Sequence, residues 1–257
     1  MIDDLYSKIA RFKVPKARKL ELFPDPETLD DLLIADPWGN KLKAWVRNPE
    51  SMPPAILIHG PAGCGKTSIA RVLVNTHGYI EYANYFQLFE AGAEDTKVLY
   101  VNVNDTQANT GVDMIKDALD IFHTKTNRMA RTLLIVDEAH DLTDRALNIL
   151  KPAMEMSYEK EGRFSFGGNI ILLSTKDNIG DKQLMSRLIK VNAGDFDGNK
   201  VVKMAFKGLR DNNIEFDPKA VKELWLQSEC PREFFNYLQY SITWNNTKTG
   251  GKLDILS

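Results

Sequence analysis

The feature that most constrains this chain is a glycine-rich segment set between an apolar stretch and a helix-like stretch. The segment is Gly60-Pro-Ala-Gly-Cys-Gly-Lys-Thr67, preceded by Ala55-Ile-Leu-Ile and followed by Ser68-Ile-Ala-Arg-Val-Leu. Closely spaced glycines let successive backbone N–H groups turn toward a pyrophosphate, and the helix that follows adds the positive end of its dipole. The flanking stretches disfavour a chance match. The segment therefore predicts a phosphate-binding loop and a site for a nucleoside triphosphate.

Two side chains at the end of this loop have specific expected roles. Lys66 is expected to reach the β- and γ-phosphates, and the Thr67 hydroxyl is expected to ligate Mg²⁺. The loop residues predicted to contact the nucleotide are Gly60, Pro61, Ala62, Gly63, Cys64, Gly65, Lys66, Thr67 and Ser68.

A second acidic motif follows further along the chain. Thr132-Leu-Leu-Ile-Val-Asp137-Glu138 is a continuous apolar run, typical of a strand buried on both faces, that ends in two carboxylates. Asp137 is predicted to hold Mg²⁺ through its water shell, and Glu138 to polarise the attacking water. An Asp-Glu pair alone is more often a solvated strand end, but its combination with the phosphate-binding loop favours hydrolysis of ATP or GTP.

Composition sets limits on the class of protein. A chain of 257 residues can hold one α/β domain and a small appendage. The net charge of −2 gives no global basic field, so any contact with nucleic acid must be local. The two cysteines, Cys64 and Cys230, lie far apart in the sequence and predict neither a disulfide framework nor a zinc site. The N-terminus lacks an export signal and no apolar run is long enough for a membrane. A cytoplasmic protein without membrane contact is therefore expected, with a nuclear protein or a viral protein in a host cell as alternatives.

Apolar patterning predicts alternating strands and helices through the first three quarters of the chain. Residues 1–25 are predicted to be irregular, and residues 26–46 helical with a break at Asp36-Pro-Trp-Gly39. Strands are predicted at 56–59, 97–103, 133–136, 169–174 and 187–191, and helices at 67–76, 112–122 and 144–155. Such alternation predicts an α/β fold with a doubly wound parallel sheet, covered by helices on both faces.

The pattern changes to helices alone after residue 195. Three helices are predicted, at 200–212, 218–228 and 231–244. We therefore expect a nucleotide-binding α/β domain over residues 1–195, a small helical lid domain over 196–245 and a flexible tail over 246–257.

With these motifs, the chain resembles the AAA+ ATPases and, more narrowly, the small subunits of clamp loaders of the replication factor C type. The most specific blocks are Val101-Asn-Val-Asn-Asp…Gly111-Val-Asp-Met-Ile-Lys116 and Asp137-Glu-Ala-His-Asp-Leu-Thr…Met154-Glu. The phosphate-binding loop, a segment from Lys16 to Leu33 and the pair Ser186-Arg187 match more widely shared motifs. The resemblance extends over about residues 16–244 and implies an oligomeric ATPase with a helical lid.

The resemblance implies further roles around the nucleotide. Arg187 matches the arginine finger, which acts on ATP held by the neighbouring subunit, although the cysteine that follows it in the family motif is Leu188 here. Arg232 resembles sensor 2, which touches the γ-phosphate in its own subunit. Thr175 is the expected sensor 1, with Lys176 as the alternative register.

The resemblance also implies which residues contact the adenine base, and the sequence departs from the family motif at one position. Adenine is expected to lie against Leu32 and Leu33. His140 stands where the family has aspartate, so no role is carried over, and we interpret it as a structural or surface residue.

The implied partners are other AAA+ subunits, a sliding clamp, and primed or double-stranded DNA. Lys116 and Arg145 are candidates for contacts with the DNA backbone, although a solvated helix surface explains each of them equally well. Clamp-loader small subunits carry a helical collar after the lid, and this sequence ends first. We therefore expect a shortened chain, assembly through the ATPase modules alone, or a divergent branch such as a viral one.

The leading functional hypothesis is ATP-driven loading of a sliding clamp onto primed DNA. Another AAA+ remodeller, such as a helicase loader or a branch-migration motor, is the first alternative. An ATP-dependent assembly scaffold that hydrolyses little is the second alternative, and the presence of Glu138 and Arg187 disfavours it.

Overall fold

The structure, a computed structural model, describes residues 10–11, 26–48, 51–76, 98–105, 111–125, 132–155 and 168–248. The family resemblance begins at Lys16, and its first part, residues 16–25, lies outside the described residues. The described elements are β1 (Ala10–Arg11), α1 (Trp38–Arg47), β2 (Ala55–His59), α2 (Lys66–Thr76), β3 (Val98–Asn102), α3 (Val112–Lys125), β4 (Thr132–Asp137), α4 (Asp144–Glu155), β5 (Gly168–Ser174), α5 (Lys182–Met185), β6 (Ile189–Asn192), α6 (Gly198–Asp211), β7 (Glu215–Phe216), α7 (Pro218–Gln227) and α8 (Pro231–Lys248). Short 3₁₀ turns cover Val103–Asp105 and Ala139–Asp141.

Five parallel strands form one sheet in the order β3-β4-β5-β2-β6. Alternate side chains of each central strand enter different cores, as a strand covered on both faces requires. On β4, Leu134 and Val136 pack with residues of α3 and α4, whereas Leu133 and Ile135 pack with residues of α1 and α2. The predicted doubly wound parallel α/β sheet is confirmed.

The strand register brings the polar ends of neighbouring strands to one edge of the sheet. His59 at the end of β2 pairs with Ser174 at the end of β5, and Asn102 at the end of β3 pairs with Asp137 at the end of β4. In open parallel sheets this carboxyl-terminal edge is where ligands bind. The edge therefore positions the phosphate-binding loop beside the acidic motif.

Helices α6, α7 and α8 have a separate hydrophobic core. Its largest fully buried side chain is Phe234, which packs edge-to-face against Trp225 with ring centroids 5.5 Å apart. The N-terminal ends of α6 and α7 are capped by Asp197 and Asp217, whose carboxylates accept backbone N–H groups of the first turns. This helical cluster corresponds to the predicted lid region, although α8 continues to Lys248 and includes the first residues of the predicted tail.

Residues 26–37 differ from the predicted helix. Only Trp38–Arg47 is helical, with Pro37 as its N-cap residue. Upstream, Thr28 donates from its backbone N and its hydroxyl to the Asp31 carboxylate, at 2.9 and 2.7 Å, which stabilises a turn. The chain then extends, and Ile34 forms an antiparallel bridge with Phe196. The prediction was wrong here because local side-chain bonds and a tertiary strand pairing outweigh helix propensity.

Two other elements differ in smaller ways. Within the region predicted to be irregular, Ala10–Arg11 pairs antiparallel with Glu215–Phe216. The fifth sheet strand begins at Ile189 rather than at residue 187, so Arg187 lies in the turn before it. Among the described residues, no helix combines the length and the apolar character needed to cross a membrane.

Candidate active site

The loop Gly60–Thr67 leaves β2 and enters α2 with glycines at its tightest positions. Gly63 has φ +79°, and a Cβ there would meet Arg232 Cβ at 2.8 Å and Cys230 Sγ at 3.0 Å. Gly60 has φ +152°, and a Cβ there would meet the backbone N of Gly194 at 2.7 Å. Both positions therefore require glycine, for backbone conformation and for close approach.

Lys66 is the buried cation of this loop. Its side chain is 8% exposed, and Nζ donates to the carbonyl oxygens of Gly60 and Pro61 at 2.9 and 3.0 Å. A buried ammonium must be hydrogen-bonded to be tolerated, and two carbonyls satisfy it here. The ammonium group therefore lies inside the curve of the loop. There a bound anion can replace the two carbonyl oxygens as its hydrogen-bond partner.

Asp137 lies directly beside the loop, at the end of β4. One carboxylate oxygen, Oδ2, accepts the Thr67 hydroxyl at 3.2 Å and the Tyr100 hydroxyl at 2.5 Å. The other oxygen, Oδ1, accepts the backbone N–H of Glu138 at 2.9 Å. The structure thus brings together the predicted pair, Thr67 and Asp137, as hard oxygen donors of the type that Mg²⁺ prefers.

Sequence analysis did not single out Tyr100. The residue lies on β3 two positions before Asn102, whose register partner is Asp137, so it shares the sheet face of that carboxylate. The available signal was a hydroxyl-bearing aromatic in an otherwise apolar strand next to the acidic strand. Because a buried tyrosine hydroxyl needs a partner, such a residue can orient a carboxylate on the next strand.

Glu138 has a backbone conformation that is uncommon for a residue with a side chain. Its φ and ψ are 55° and 39°, the left-handed region. One carboxylate oxygen, Oε2, lies 3.5 Å from His140 Nδ1, and the other ring nitrogen of His140 lies 3.0 Å from the Thr175 hydroxyl. Of the two interpretations of His140, as a structural or a surface residue, the surface one is excluded, because only 13% of its side chain is exposed.

The end of β5 distinguishes the two candidates for sensor 1. Thr175 is exposed and directs its hydroxyl toward His140, at the acidic edge of the site. Lys176 donates its backbone N–H to the hydroxyl of the buried Ser174 at 2.8 Å, and its carbonyl accepts that hydroxyl at 2.7 Å. Thr175 therefore has a polar link to the acidic motif, while the backbone of Lys176 closes the turn.

A cavity of about 270 Å³ separates the loop from the helical cluster. Its walls come from four parts of the chain: Leu32 and Leu33 from the extended segment, Gly63 and Cys64 from the loop, Met204 from α6, and Arg232 and Phe235 from α8. The residues expected on the base side thus line one cavity next to the phosphate-binding loop.

Cys230, remote from Cys64 in the sequence, also comes close to the loop, as its approach to Gly63 shows. Both cysteines are free. Burial raises the pKa of the Cys64 thiol, so this thiol is neutral at ordinary pH. Sequence distance did not reveal this proximity, because α8 returns to the loop only through the packing of the helical cluster.

Arg187 lies half-buried in the turn between α5 and β6, away from the strand on which it was expected. Its guanidinium donates to the Gln183 carbonyl. The N-cap residue of α5, Asp181, is anchored to α4 by Lys151, with the charged groups 2.6 Å apart. Arg187 therefore follows directly after a short helix whose N-terminal end is held against α4.

The two candidate DNA contacts lie on neighbouring helices. Lys116 is exposed on α3, with Nζ 4.0 Å from Asp113, and Arg145 is exposed in the first turn of α4. Leu142 and Ala146 join Ile115 in one core, so these helix starts pack together. Both cations are available to solvent on the same side of the sheet.

Comparisons with known proteins agree with this geometry. A family model described as an AAA domain matches residues 50–175. The replication factor C small subunit of Picrophilus torridus is 32% identical over 146 residues, which is 56% of this chain and 40% of that protein. The small subunit of Sulfolobus acidocaldarius is 26% identical over 202 residues, which is 78% of this chain and 55% of that protein.

Solved structures extend the comparison to the fold. The Thermotoga maritima RuvB Holliday junction branch migration motor superposes with a TM-score of 0.61 at 15% identity, over 90% of this chain and 69% of that one. At this identity the likeness is one of fold alone. The matched segment, residues 50–175, is similar to an AAA domain and includes both the phosphate-binding loop and the acidic motif. The sequence similarity of the chain extends to replication factor C small subunits, of which it spans about half the length.

Proposed function

We propose that this protein binds ATP with Mg²⁺ at the loop Gly60–Thr67 and hydrolyses it. The observation that carries the proposal is the meeting of Lys66, Thr67 and Asp137 at one strand edge, with the lysine buried and the oxygens 3.2 Å apart. Lys66 exchanges its carbonyl partners for phosphate oxygens, while Thr67 and Asp137 hold the metal directly or through water. When bound, Mg²⁺ neutralises phosphate charge that develops during transfer.

Glu138 is the proposed base that polarises the attacking water. It directly follows the metal-binding carboxylate, and 35% of its side chain is exposed, so water can reach it. Leu32 and Leu33 are proposed to contact adenine in the cavity. Thr175 and Arg232 are proposed to contact the γ-phosphate, from the strand edge and the helical cluster respectively.

Arg187 is proposed to complete the site of a neighbouring subunit. A guanidinium supplied across an interface stabilises γ-phosphate charge and makes hydrolysis depend on assembly. An Arg187→Ala protein should bind ATP but fail to hydrolyse it. Mixed with a Lys66→Ala protein, it should regain activity, because interfaces of the right order combine an intact loop with an intact finger. Sedimentation must accompany the assay, and assembly without rescue at any ratio contradicts the proposal.

Beyond hydrolysis, we propose that the protein is a clamp-loader subunit that acts with other AAA+ subunits to load a sliding clamp onto primed DNA. Sequence similarity to replication factor C small subunits over 78% of the chain supports this function. Lys116 and Arg145 are the proposed contacts with the DNA backbone. The test is the ATPase rate with primed DNA, with a candidate clamp, and with both. An ATPase rate that rises only when primed DNA and the clamp are both present supports loading. A rate that does not change when the clamp is added contradicts it.

A branch-migration motor or helicase loader is the second candidate. The fold likeness to the RuvB motor, over 90% of this chain, favours it. Capture experiments with purified clamp and purified replicative helicase separate the two functions. ATPase stimulation by branched DNA without any clamp would favour the motor.

A further inference from the structure

His140 contacts both sides of the proposed reaction centre through its two ring nitrogens. Nε2 lies 3.0 Å from the Thr175 hydroxyl, and Nδ1 lies 3.5 Å from the Glu138 carboxylate. Nδ1 is also completely buried and has no hydrogen-bond partner. A buried polar atom without a partner is rare in proteins, and it calls for an explanation in terms of function. The ring is therefore not anchored through Nδ1 as an ordinary structural histidine would be.

The backbone of Glu138 is fixed, which leaves its side chain as the adjustable part. Its N–H donates to Asp137 Oδ1 at 2.9 Å, and its carbonyl accepts the N–H of Asp141 at 2.9 Å. These bonds hold the residue in the left-handed conformation with φ 55°. A strained conformation of this kind persists only where its surroundings determine it, and it is often found at functional sites. The direction of the Glu138 carboxylate thus depends on its neighbour, His140.

We propose that His140 is a positioning residue. The hydrogen bond made by the Thr175 hydroxyl sets the tautomer of the His140 ring, and the tautomer determines whether the ring holds the Glu138 carboxylate. A neutral imidazole has one donor and one acceptor nitrogen, whereas a hydroxyl can donate or accept. When Thr175 donates to Nε2, the ring proton is on Nδ1 and attracts the Glu138 carboxylate. When Thr175 instead donates to a phosphate oxygen, its own oxygen accepts a hydrogen bond from a protonated Nε2, and Nδ1 presents a lone pair.

The second tautomer releases Glu138, because a lone pair repels a carboxylate. The ring stays neutral throughout: the Nδ1 proton passes to water through the partly exposed Glu138 carboxylate 3.5 Å away, water supplies a proton to Nε2, and Thr175 keeps its own proton. In the nucleotide-free protein the Glu138 carboxylate is held away from the position of the attacking water, and binding of the γ-phosphate releases it. The inference rests on the proposed roles of Glu138 and Thr175, and it adds the group that connects them.

Nitrogen NMR of the imidazole rings tests this directly, since protonated and bare ring nitrogens resonate far apart. The chain has four histidines, so a His140→Phe spectrum assigns the signal. The measurement is made at about pH 8, above the ordinary histidine pKa of about 6.5. We expect the proton on Nδ1 without nucleotide and on Nε2 with Mg²⁺ and a non-hydrolysable ATP analogue.

Variants of Thr175 supply the matched controls. Thr175→Ser keeps the hydroxyl and should show the same exchange, whereas Thr175→Val should bind the analogue without exchange. Binding is measured separately by fluorescence titration. A proton already on Nε2 in the free protein, a doubly protonated ring, or exchange in saturated Thr175→Val would each overturn the proposal.

Kinetics give a second readout. His140→Phe keeps a ring in place but removes the N–H that holds Glu138, so kcat at saturating ATP should stay near the wild-type value. Thr175→Val alone leaves Glu138 held by His140 and should lower kcat about 10-fold to 100-fold with little change in KM for ATP. Adding Thr175→Val to His140→Phe should cause a much smaller loss, because the group that transmits the effect is absent. Glu223→Gln, at an exposed carboxylate of α7, is the control and should change neither constant.

Fully additive losses in the double variant would show that no such connection exists. If Glu138→Gln kept wild-type turnover, the proposed role of Glu138 would fail instead. A failure to load clamps would leave the His140 result unaffected.

Discussion

The candidate site has a phosphate side, around Lys66 and Asp137, and a base side, where Leu32 and Leu33 are proposed to contact adenine. The two sides are built in different ways. On the phosphate side, charged groups are buried and satisfied by nearby polar groups: Lys66 donates to loop carbonyls, and Asp137 accepts the Thr67 hydroxyl. On the base side, apolar and long side chains from separate segments meet across an opening, as for Leu33 and Arg232. Changes to the first region should therefore abolish chemistry, and changes to the second should adjust affinity.

The largest expected effect is that of Glu138→Gln on turnover. The substitution removes the proposed base but keeps the shape of the side chain and the groups around the phosphate. We expect kcat to fall about 100-fold to 10,000-fold, while ATP affinity stays near that of the wild type. Steady-state hydrolysis and nucleotide titration measure the two quantities. The control is Glu223→Gln on the exposed surface of α7, and equal turnover in both variants would mean that another base acts.

Lys66→Ala should act on binding rather than on the chemical step alone. Loss of a buried cation that pairs with phosphate costs about 2–5 kcal/mol, which weakens ATP binding by at least about 30-fold. Equilibrium titration with a fluorescent ATP analogue measures this change. Lys219→Ala, at an exposed lysine, is the control. Wild-type affinity in Lys66→Ala would remove the basis for the whole nucleotide site.

Tyr100→Phe tests whether the phosphate side depends on the group that orients Asp137, a proposed Mg²⁺ ligand. The substitution deletes only the hydroxyl that donates to Asp137 at 2.5 Å. With this support lost, the Mg²⁺ concentration for half-maximal activity should rise about 10-fold to 100-fold. Tyr240→Phe, at an exposed tyrosine of α8, is the comparison. An unchanged Mg²⁺ requirement would show that Asp137 is oriented without the phenol.

The same contrast explains which features were predictable. Lys66, Thr67 and Asp137 follow from local spacing, because one loop and one strand end determine their positions. Tyr100 and His140 act through residues on adjacent strands, so their roles depend on register and on the turn at Glu138. The extended segment that carries Leu33 was predicted as helix, because its pairing partner near Phe196 is remote in the sequence.

Leu33→Ala gives the smallest expected effect and the sharpest contrast between the two sides. Leu33 is half-buried, lines the cavity and packs against the core of the helical cluster. Truncation removes apolar contact worth about 1 kcal/mol, so ATP affinity should fall about fivefold. Since no polar group at the strand edge changes, kcat at saturating ATP should stay at the wild-type value.

The matched control is Leu226→Ala, at a leucine that is 81% exposed on α7. It removes the same atoms without touching the cavity, so it should leave both KM and kcat unchanged. Thermal melting of both variants separates loss of binding from loss of folding. If Leu33→Ala lowered kcat at saturation while KM stayed constant, the base side would take part in chemistry and the division between the two regions would fail. A selective loss of affinity would instead support an adenine contact on the surface that joins the sheet to the helical cluster.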